Sequence, residues 1–456
     1  MVTDFKYHRL RSSVFGLPSN KHRLLTKFLI LLIFLWCSSR SFAQPSSTFD
    51  ILAFGRKTVD TLSSPFFKGR GYIKEGDNLA AYFVASEFYK CKLKTFVGAK
   101  NYYQNFNFPV NTFPRDVFAS IDDQYLICGR DFVPEAGCPD VKGTWNIVWL
   151  DSATVADPHA YKEFARRDFS TYFIVIDDKG VTDADQKKVF KNMAMNPYGA
   201  KGLIYLRPKI TWSVATEISP FPIIEIVRGN ISRTSKQMKI LIDSKFIEDY
   251  PCRNVIGYVE GKEKPDSFIV ISAHYDHLGK IGRTVYFPGA NDNASGIAML
   301  LSLAKWYSVP ENQPKYSICF MAFGAEEAGL IGSSRYNLYP VFPLKQIKFL
   351  FNVDIMGTGD EGITVVNSTE FTKEFAILDS INSAKKYLVQ IKKRGPAANS
   401  DHYPFYENKV RCFFAYTMGG VKFYHDIDDR GQTLPLNEFV DLHLLFRDFI
   451  NEIQVK

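Results

Sequence analysis

Two histidines and several carboxylates recur in this 456-residue chain at one kind of position, directly after a run of apolar, strand-like residues. His274 and Asp276 end Ile271-Ser272-Ala273-His274-Tyr275-Asp276-His277, and Glu326 and Glu327 end Phe323-Gly324-Ala325-Glu326-Glu327. Asp354 ends Phe351-Asn352-Val353-Asp354, and His425 follows the last such run, in Phe423-Tyr424-His425-Asp426. Asp292 stands at a loop-to-helix junction between Pro288 and Gly296, where small and amide neighbours let the backbone come close to an ion. Carboxylates gathered without cations raise one another's pKa and destabilise the fold. His274, Asp292, Glu327, Asp354 and His425 therefore point to metal ions. Charge favours two: three carboxylates and one hydroxide balance a pair of divalent cations. Mixed histidine and carboxylate donors suit zinc best, with cobalt and manganese the other candidates. In such a pair, about 3.5 to 4 Å apart, one carboxylate must bridge, and the ions activate water and polarise a carbonyl. Glu326, if aimed at that water instead of at an ion, has the chemistry of a proton shuttle.

Such a cluster needs elements that end together. Strand patterns at Phe268–Ala273, Tyr316–Phe323, Ile347–Val353, Ile363–Val366 and Val410–Tyr416 alternate with helical patterns at Ala294–Tyr307, Ala328–Asn337, Glu370–Lys386 and Asn437–Ile453. This alternation predicts a doubly wound α/β fold with a mostly parallel sheet and helices on both faces. In such sheets ligands bind beyond the carboxyl ends of the strands, where the acids and histidines fall. Upstream, Asn78–Tyr89 reads as a helix and Tyr102–Val110 as a strand, the N-terminal part (44–110) of the same domain as 244–456. Between them, residues 111–243 change texture. Short strand-like runs at Trp145–Leu150, Tyr172–Ile176, Gly202–Leu206 and Pro222–Val227 suggest an inserted, smaller α/β or β-rich domain with no acid and histidine cluster of its own.

Composition excludes some partners. Hydrophobic residues make up 46% of the chain, enough for a large core, and the formal charge is +8. Most of that charge sits in residues 1–43, which hold seven Lys and Arg against one Asp, so the remainder offers no basic face for nucleic acid. The same segment reads as a signal peptide: basic residues precede the apolar run Phe28–Trp36, and Ser41-Phe42-Ala43 has cleavage-site character. The run is too short for a stable membrane anchor, so an exported protein, periplasmic or extracellular, is expected. Cys91, Cys128, Cys138, Cys252, Cys319 and Cys412 then remain. Cys128 and Cys138 are close enough in sequence to be bridged, while Cys319 and Cys412 lie in strand patterns and read as core residues.

The stretches His274–Gly279, Gly289–Gly296, Phe323–Gly329 with Gly332-Ser333, Asn352–Asp354, Ser400-Asp401-His402 and Tyr424-His425 together resemble the M28 family of zinc aminopeptidases. Weaker similarity covers Leu62-Ser63-Ser64 with Lys68-Gly69-Arg70, and Tyr103–Phe106; residues 111–243 resemble the family's inserted protease-associated domain. The resemblance implies a zinc exopeptidase-type fold acting on peptides. It implies that Asp292 bridges two zinc ions, that His274 and Asp354 complete one site and that Glu327 and His425 complete the other. It further implies Glu326 as general base, Asp276 as the acid that orients His274, Tyr424 as a hydroxyl for the tetrahedral intermediate, and a cis peptide between Asp292 and Asn293. His277, Asp401 and His402 match family motifs at supporting positions. An aminopeptidase is the expected activity. A related carboxypeptidase or dipeptidase, a glutaminyl cyclase-like acyltransferase and a non-catalytic binding protein are the alternatives.

Overall fold

The computed structural model describes residues 49–455, so the signal-peptide reading falls outside the described residues. From Ile51 onward the chain forms one compact unit. Its main sheet has eight strands: β1 (Tyr103–Thr112), β2 (Lys245–Val259), β3 (Lys264–His274), β4 (Tyr316–Phe323), β5 (Ile347–Val353), β6 (Ile363–Val366), β7 (Ile391–Lys393) and β8 (Cys412–Thr417). Their order is β1-β2-β4-β3-β5-β8-β6-β7. The four central strands β4, β3, β5 and β8 run parallel. Antiparallel pairings attach β2 and β1 on one flank and β6 on the other.

Alternation along each strand sends side chains to two cores, as a period of two requires. Ile269, Ile271 and Ala273 of β3, with Ile318, Phe320 and Ala322 of β4, join the larger core. That core is closed by α1 (Ile51–Leu62), α2 (Gly76–Lys90), α3 (Gly296–Tyr307), α5 (Thr372–Lys385) and α6 (Phe439–Ile453), with α4 (Ile331–Leu338) on the opposite face. The intervening residues Phe268, Val270, Cys319, Met321 and Phe323 pack on that opposite face with Tyr336 of α4 and Phe405. Burial on both faces explains why β3 to β5 and β8 read as continuous apolar runs.

A second eight-stranded sheet is built from residues 117–242. Four contiguous strands, Val141–Asp151, Tyr172–Asp177, Gly202–Arg207 and Ile223–Val227, are parallel, and short helices at Pro158–Ala165 and Ala184–Asn192 lie between them in sequence. This region is α/β. The long strand β2 and helix α1 were not anticipated: β2 carries Glu248, Asp249, Pro251 and Arg253 in its interior, and α1 has Gly55 and Thr58 on its buried side. All six described cysteines are free, so Cys128 and Cys138 are separate thiols, and Cys319 and Cys412 are buried strand residues.

Candidate metal centre

The cluster assembles where β3, β4 and β5 end, together with the loop before α3 and the segment after β8. His274 is the last residue of β3, and its Nε2 lies 3.4 Å from Asp292 Oδ1, 3.4 Å from Asp354 Oδ2 and 4.0 Å from Glu326 Oε2. His425 Nε2 lies 3.2 Å from Asp292 Oδ2 and 3.1 Å from Glu327 Oε2. Two donor sets therefore share Asp292, one oxygen facing each. His277 is a further member: its Nδ1 is 2.6 Å from Glu327 Oε1 and 4.0 Å from Asp292 Oδ1. Sequence reasoning gave it only a supporting place, because nothing in His274-Tyr275-Asp276-His277 reveals that the chain turns the second histidine back beneath Glu327.

Sharp backbone turns aim these groups. Ala325 before Glu326, Ile355 after Asp354, and His425 itself all have positive φ. Non-glycine residues in that region cost of order 1–3 kcal/mol and persist only where surrounding contacts enforce them. The Asp292–Asn293 peptide is cis. The amide and hydroxyl side chains around it tie the loop to the end of β5: Asn293 Oδ1 accepts from Gly296 and Ile355, Ser295 Oγ accepts from Met356, and Asn291 Oδ1 accepts from Gly357. The Asn-Asp-Asn-Ala-Ser composition is thus a set of cross-loop clamps, and Ser295 makes no capping bond to α3.

Two residues outside the predicted set hold the same loop. Arg70, fully buried, donates to the carbonyls of Leu62, Tyr275, Pro288, Gly289 and Asp292. Burial lowers its pKa to about 10 against the raising effect of Asp292, Asp429 and Asp276. A Cβ on Gly289 (φ +60) would meet Asp292 O at 2.3 Å and Arg70 Nη2 at 2.6 Å, so glycine is required where the loop wraps the guanidinium. Asp429 accepts the backbone N–H groups of Asn291 and Asp292 at 2.9–3.0 Å. Lys68-Gly69-Arg70 was visible as a motif. Asp429, in Asp426-Ile427-Asp428-Asp429, had no distinguishing signal.

Some supporting positions do different jobs from those expected. Nδ1 of His274 lies 3.2 Å from the Asp276 carbonyl and 3.7 Å from its carboxylate, so the backbone takes the orienting hydrogen bond. The Asp276 carboxylate instead accepts the N–H groups of Glu326 and Glu327 and the Tyr72 hydroxyl. Ser400, and not Asp401, touches the cluster: its Oγ donates to Asp354 Oδ2 at 3.1 Å, within a chain running Ser272, Asn352, Ser400. Asp401 is fully buried, and burial pushes its carboxyl up to about 7 against the lowering effect of His274. His402, also fully buried, is held down to about 3 by desolvation and lies near the Phe414 ring. Tyr424 is 57% exposed, and its ring stacks on His425 at 3.9 Å between centroids.

Electrostatics mark the cluster as charged and crowded. Burial would raise Asp292 and Glu327, but facing imidazoles prevail: His274 and His425 hold Asp292 well below the carboxylate range, and His425 and His277 hold Glu327 at about 2. Asp354 is raised by burial, against His274. Glu326 is pushed well above its ordinary value by burial, with Asp401, Glu327 and Asp354 adding to it. Buried histidine ordinarily loses its proton, yet Glu326 and Asp354 raise His274 well above its usual range, and Glu327 and Asp292 bring His425 to about 11. The protein has thus buried acids and imidazoles that satisfy one another only by sharing charge.

The donors fit divalent cations. Four ligands about 2.0 Å from a tetrahedral ion stand roughly 3.3 Å apart, the scale of the 3.1–3.4 Å separations above. Asp354 Oδ1, His277 Nε2 and His425 Nε2 are buried without an aligned hydrogen-bond partner. His425 Nδ1 lies 2.8 Å from the carbonyl of Trp212, which leaves Nε2 as the free donor, the usual arrangement of a metal-binding histidine.

Comparison with known proteins agrees with this geometry. Residues 254–450 match Peptidase family M28. Aminopeptidase YwaD of Bacillus subtilis (strain 168) is 30% identical over 219 residues, 46% of this chain and 46% of that protein. The alignment thus spans less than half of that relative. Among solved structures, BSAP, a zinc aminopeptidase from Bacillus subtilis, superposes with a TM-score of 0.66 at 19% identity, covering 89% of this chain and 95% of that one. The Peptidase M28 precursor from Shewanella amazonensis SB2B also gives 0.66, at 16% identity, over 88% and 92%. The fold of nearly the whole chain is therefore that of these proteins, and residues 254–450, which carry every member of the cluster, belong to peptidase family M28.

Proposed function

We propose that the protein is an exported, zinc-dependent aminopeptidase that releases N-terminal residues from peptides at a dinuclear centre. The observation that carries this reading is Asp292, whose two carboxylate oxygens each face a separate donor set. In it His274, Asp292 and Asp354 hold one zinc ion and Asp292, Glu327 and His425 the other, with His277 buttressing Glu327. Bound zinc brings a water toward ionisation near pH ~7 and polarises a substrate carbonyl. Glu326 belongs to neither set, although its Oε2 is only 4.0 Å from His274 Nε2, so it is free to take a proton from the attacking water and return it to the leaving amine. The Asp276 carboxylate, by fixing the Glu326 and Glu327 N–H groups, keeps base and ligand from exchanging places. Tyr424, stacked on His425, lines both cavities beside the cluster and offers its hydroxyl to the developing oxyanion. A neighbouring cavity of about 230 Å³, lined in part by Ile355, Val421 and Phe423, is suited to an apolar side chain of the residue being released.

Export rests on residues 1–43. Among the described residues, no helix is long and apolar enough to cross a membrane. The region 111–243 is read as the inserted protease-associated-type module. A carboxypeptidase or dipeptidase direction is the competing reading, and matched peptides with free and blocked N-termini separate the two. Glu326→Gln should keep its metal and lose at least ~10²-fold in turnover, the scale of general base catalysis. Near-full rate at a verified metal load would remove Glu326 from the mechanism.

A further inference from the structure

The cavity over the cluster is not lined by acids and histidines alone. Its 280 Å³ is also bounded by Arg394, Asn399, Phe414 and Tyr416. Arg394 follows the edge strand β7, and its backbone N–H donates to Ser368 Oγ and to the Val365 carbonyl, both at 3.0 Å. Its Nη1 donates to the Tyr416 hydroxyl at 2.9 Å, and its guanidinium lies 5.9 Å from that ring's centroid. Among the described residues no carboxylate lies within ion-pair distance of it. Some other exposed arginines pair with acids, as Arg283 does with Asp116 and Arg411 with Glu374, and others lie over aromatic rings, as Arg335 does over Tyr339.

An anchored, uncompensated guanidinium in the same cavity as the reacting groups is a receptor for an anion. With Nη1 engaged by Tyr416, the Nε and Nη2 edge remains, and that fork matches the two oxygens of a carboxylate. The Asn399 amide adds a neutral donor beside it. The geometry points to a carboxylate-binding subsite at Arg394, on the leaving-group side of the scissile bond, which selects short peptides with a free C-terminus or peptides with an acidic residue after that bond. This inference rests on the aminopeptidase reading and adds a substrate class to it.

The zinc-loaded full chain is assayed with Leu-Ala, Leu-Ala-amide and Leu-Glu-amide. A C-terminal source of the carboxylate gives Leu-Ala a kcat/KM about tenfold above its amide, the scale of one charge-assisted hydrogen bond. A side-chain source gives Leu-Glu-amide the same advantage over Leu-Ala-amide. Either ratio should fall to about one in Arg394→Ala and Arg394→Gln, through KM, with Arg394→Lys retaining part of it. Ratios near one in the unmodified protein, or ratios that survive Arg394→Ala, overturn the subsite. If the unmodified protein cleaves none of the three, the peptidase reading fails. Calorimetric binding of Leu-Ala to zinc-loaded Glu326→Gln, about tenfold weaker when Arg394→Ala is added, then still decides the subsite.

Discussion

The main sheet and the second sheet both have eight strands, and both run four contiguous strands in parallel at their centre. Both also place acids at, or just beyond, the ends of parallel strands. In the second sheet Asp151 and Asp177 close two of them, and each is met by an arginine, Arg233 and Arg228, while Arg207 and Glu225 pair at 2.7 Å. In the main sheet the acids at the equivalent ends face histidines and one another. The same topology therefore makes an ordinary ion-paired rim in one case and a cation receptor in the other. What differs is whether permanent positive charge is supplied by the chain itself or left to be supplied from outside. The two regions are not independent. Trp212, in the long connection within the second region, accepts from His425 Nδ1 through its carbonyl and donates its N–H to the His425 carbonyl at 3.2 Å. Its ring stacks on Phe287 at 5.1 Å, and Lys209 pairs with Asp426 at 2.7 Å. The second region thus holds a donor of the site without contributing one.

The strongest way to break this contrast is to remove an acid from each sheet. On the proposed dinuclear reading, Asp292→Ala should lose both ions and measurable turnover, while Asp177→Ala, at a parallel-strand end of the second sheet, should keep its metal content. Metal analysis of the two purified variants checks this, and two equivalents of zinc in the Asp292 variant would end the comparison. A smaller effect tests the link between the regions. Trp212→Ala keeps the carbonyl that accepts from His425 but removes the ring packed on Phe287, so it loosens the segment that orients His425 and should weaken metal affinity by up to about 10-fold, the low end of the effect of disturbing an outer partner of a histidine ligand. Phe173→Ala, in the same second-region core but away from His425, should cost about 3–5 kcal/mol of stability with metal affinity unchanged. Competition with a chelator distinguishes them. If both variants lose metal equally, His425 is not specifically held by Trp212.

A last test concerns a buried acid outside the cluster, whose charge Arg253 offsets only in part. Asp77 accepts from the Tyr250 hydroxyl at 2.5 Å, and burial lifts its carboxyl to about 7 despite that bond. Because the folded value lies above the unfolded one, its favourable contribution is complete below about pH 4 and is lost as pH rises through about 7. Asp77→Asn should therefore gain on the parent protein across that window, by at most about 4 kcal/mol at about 1.4 per tenfold change in proton affinity. Denaturant unfolding of both proteins at pH 4 and 8 measures it, and a constant difference between them would rule out the titration of Asp77 as the cause.

Much of this was legible along the chain, because the central parallel strands are buried on both faces and write themselves as apolar runs. Tyr316–Phe323, Ile347–Val353 and Ile363–Val366 are strands with those bounds. The acids and histidines stood out for the same reason, as polar residues interrupting apolar strand ends. Strand β2, second from the edge of the sheet, and helix α1 were hidden because half-exposed elements mix polar residues into the pattern. Asp276 was read as the side-chain partner of His274, whose Nδ1 instead lies nearer the Asp276 main-chain oxygen. Sequence spacing does not say which oxygen of a residue, main-chain or side-chain, a turn will present.

By itself the sequence determined which groups could hold cations and that they lie at strand ends, since residue type and a period of two are local properties. Only the tertiary structure decided that Asp292 offers one oxygen to each donor set, that His277 buttresses Glu327, that Arg70 grips the Asp292 loop from within the core, and that Trp212 aims His425. Those are contacts between segments tens to hundreds of residues apart, and the last two are carried by backbone carbonyls. A carbonyl is the same in every residue, so its role is invisible until the fold brings it to its partner.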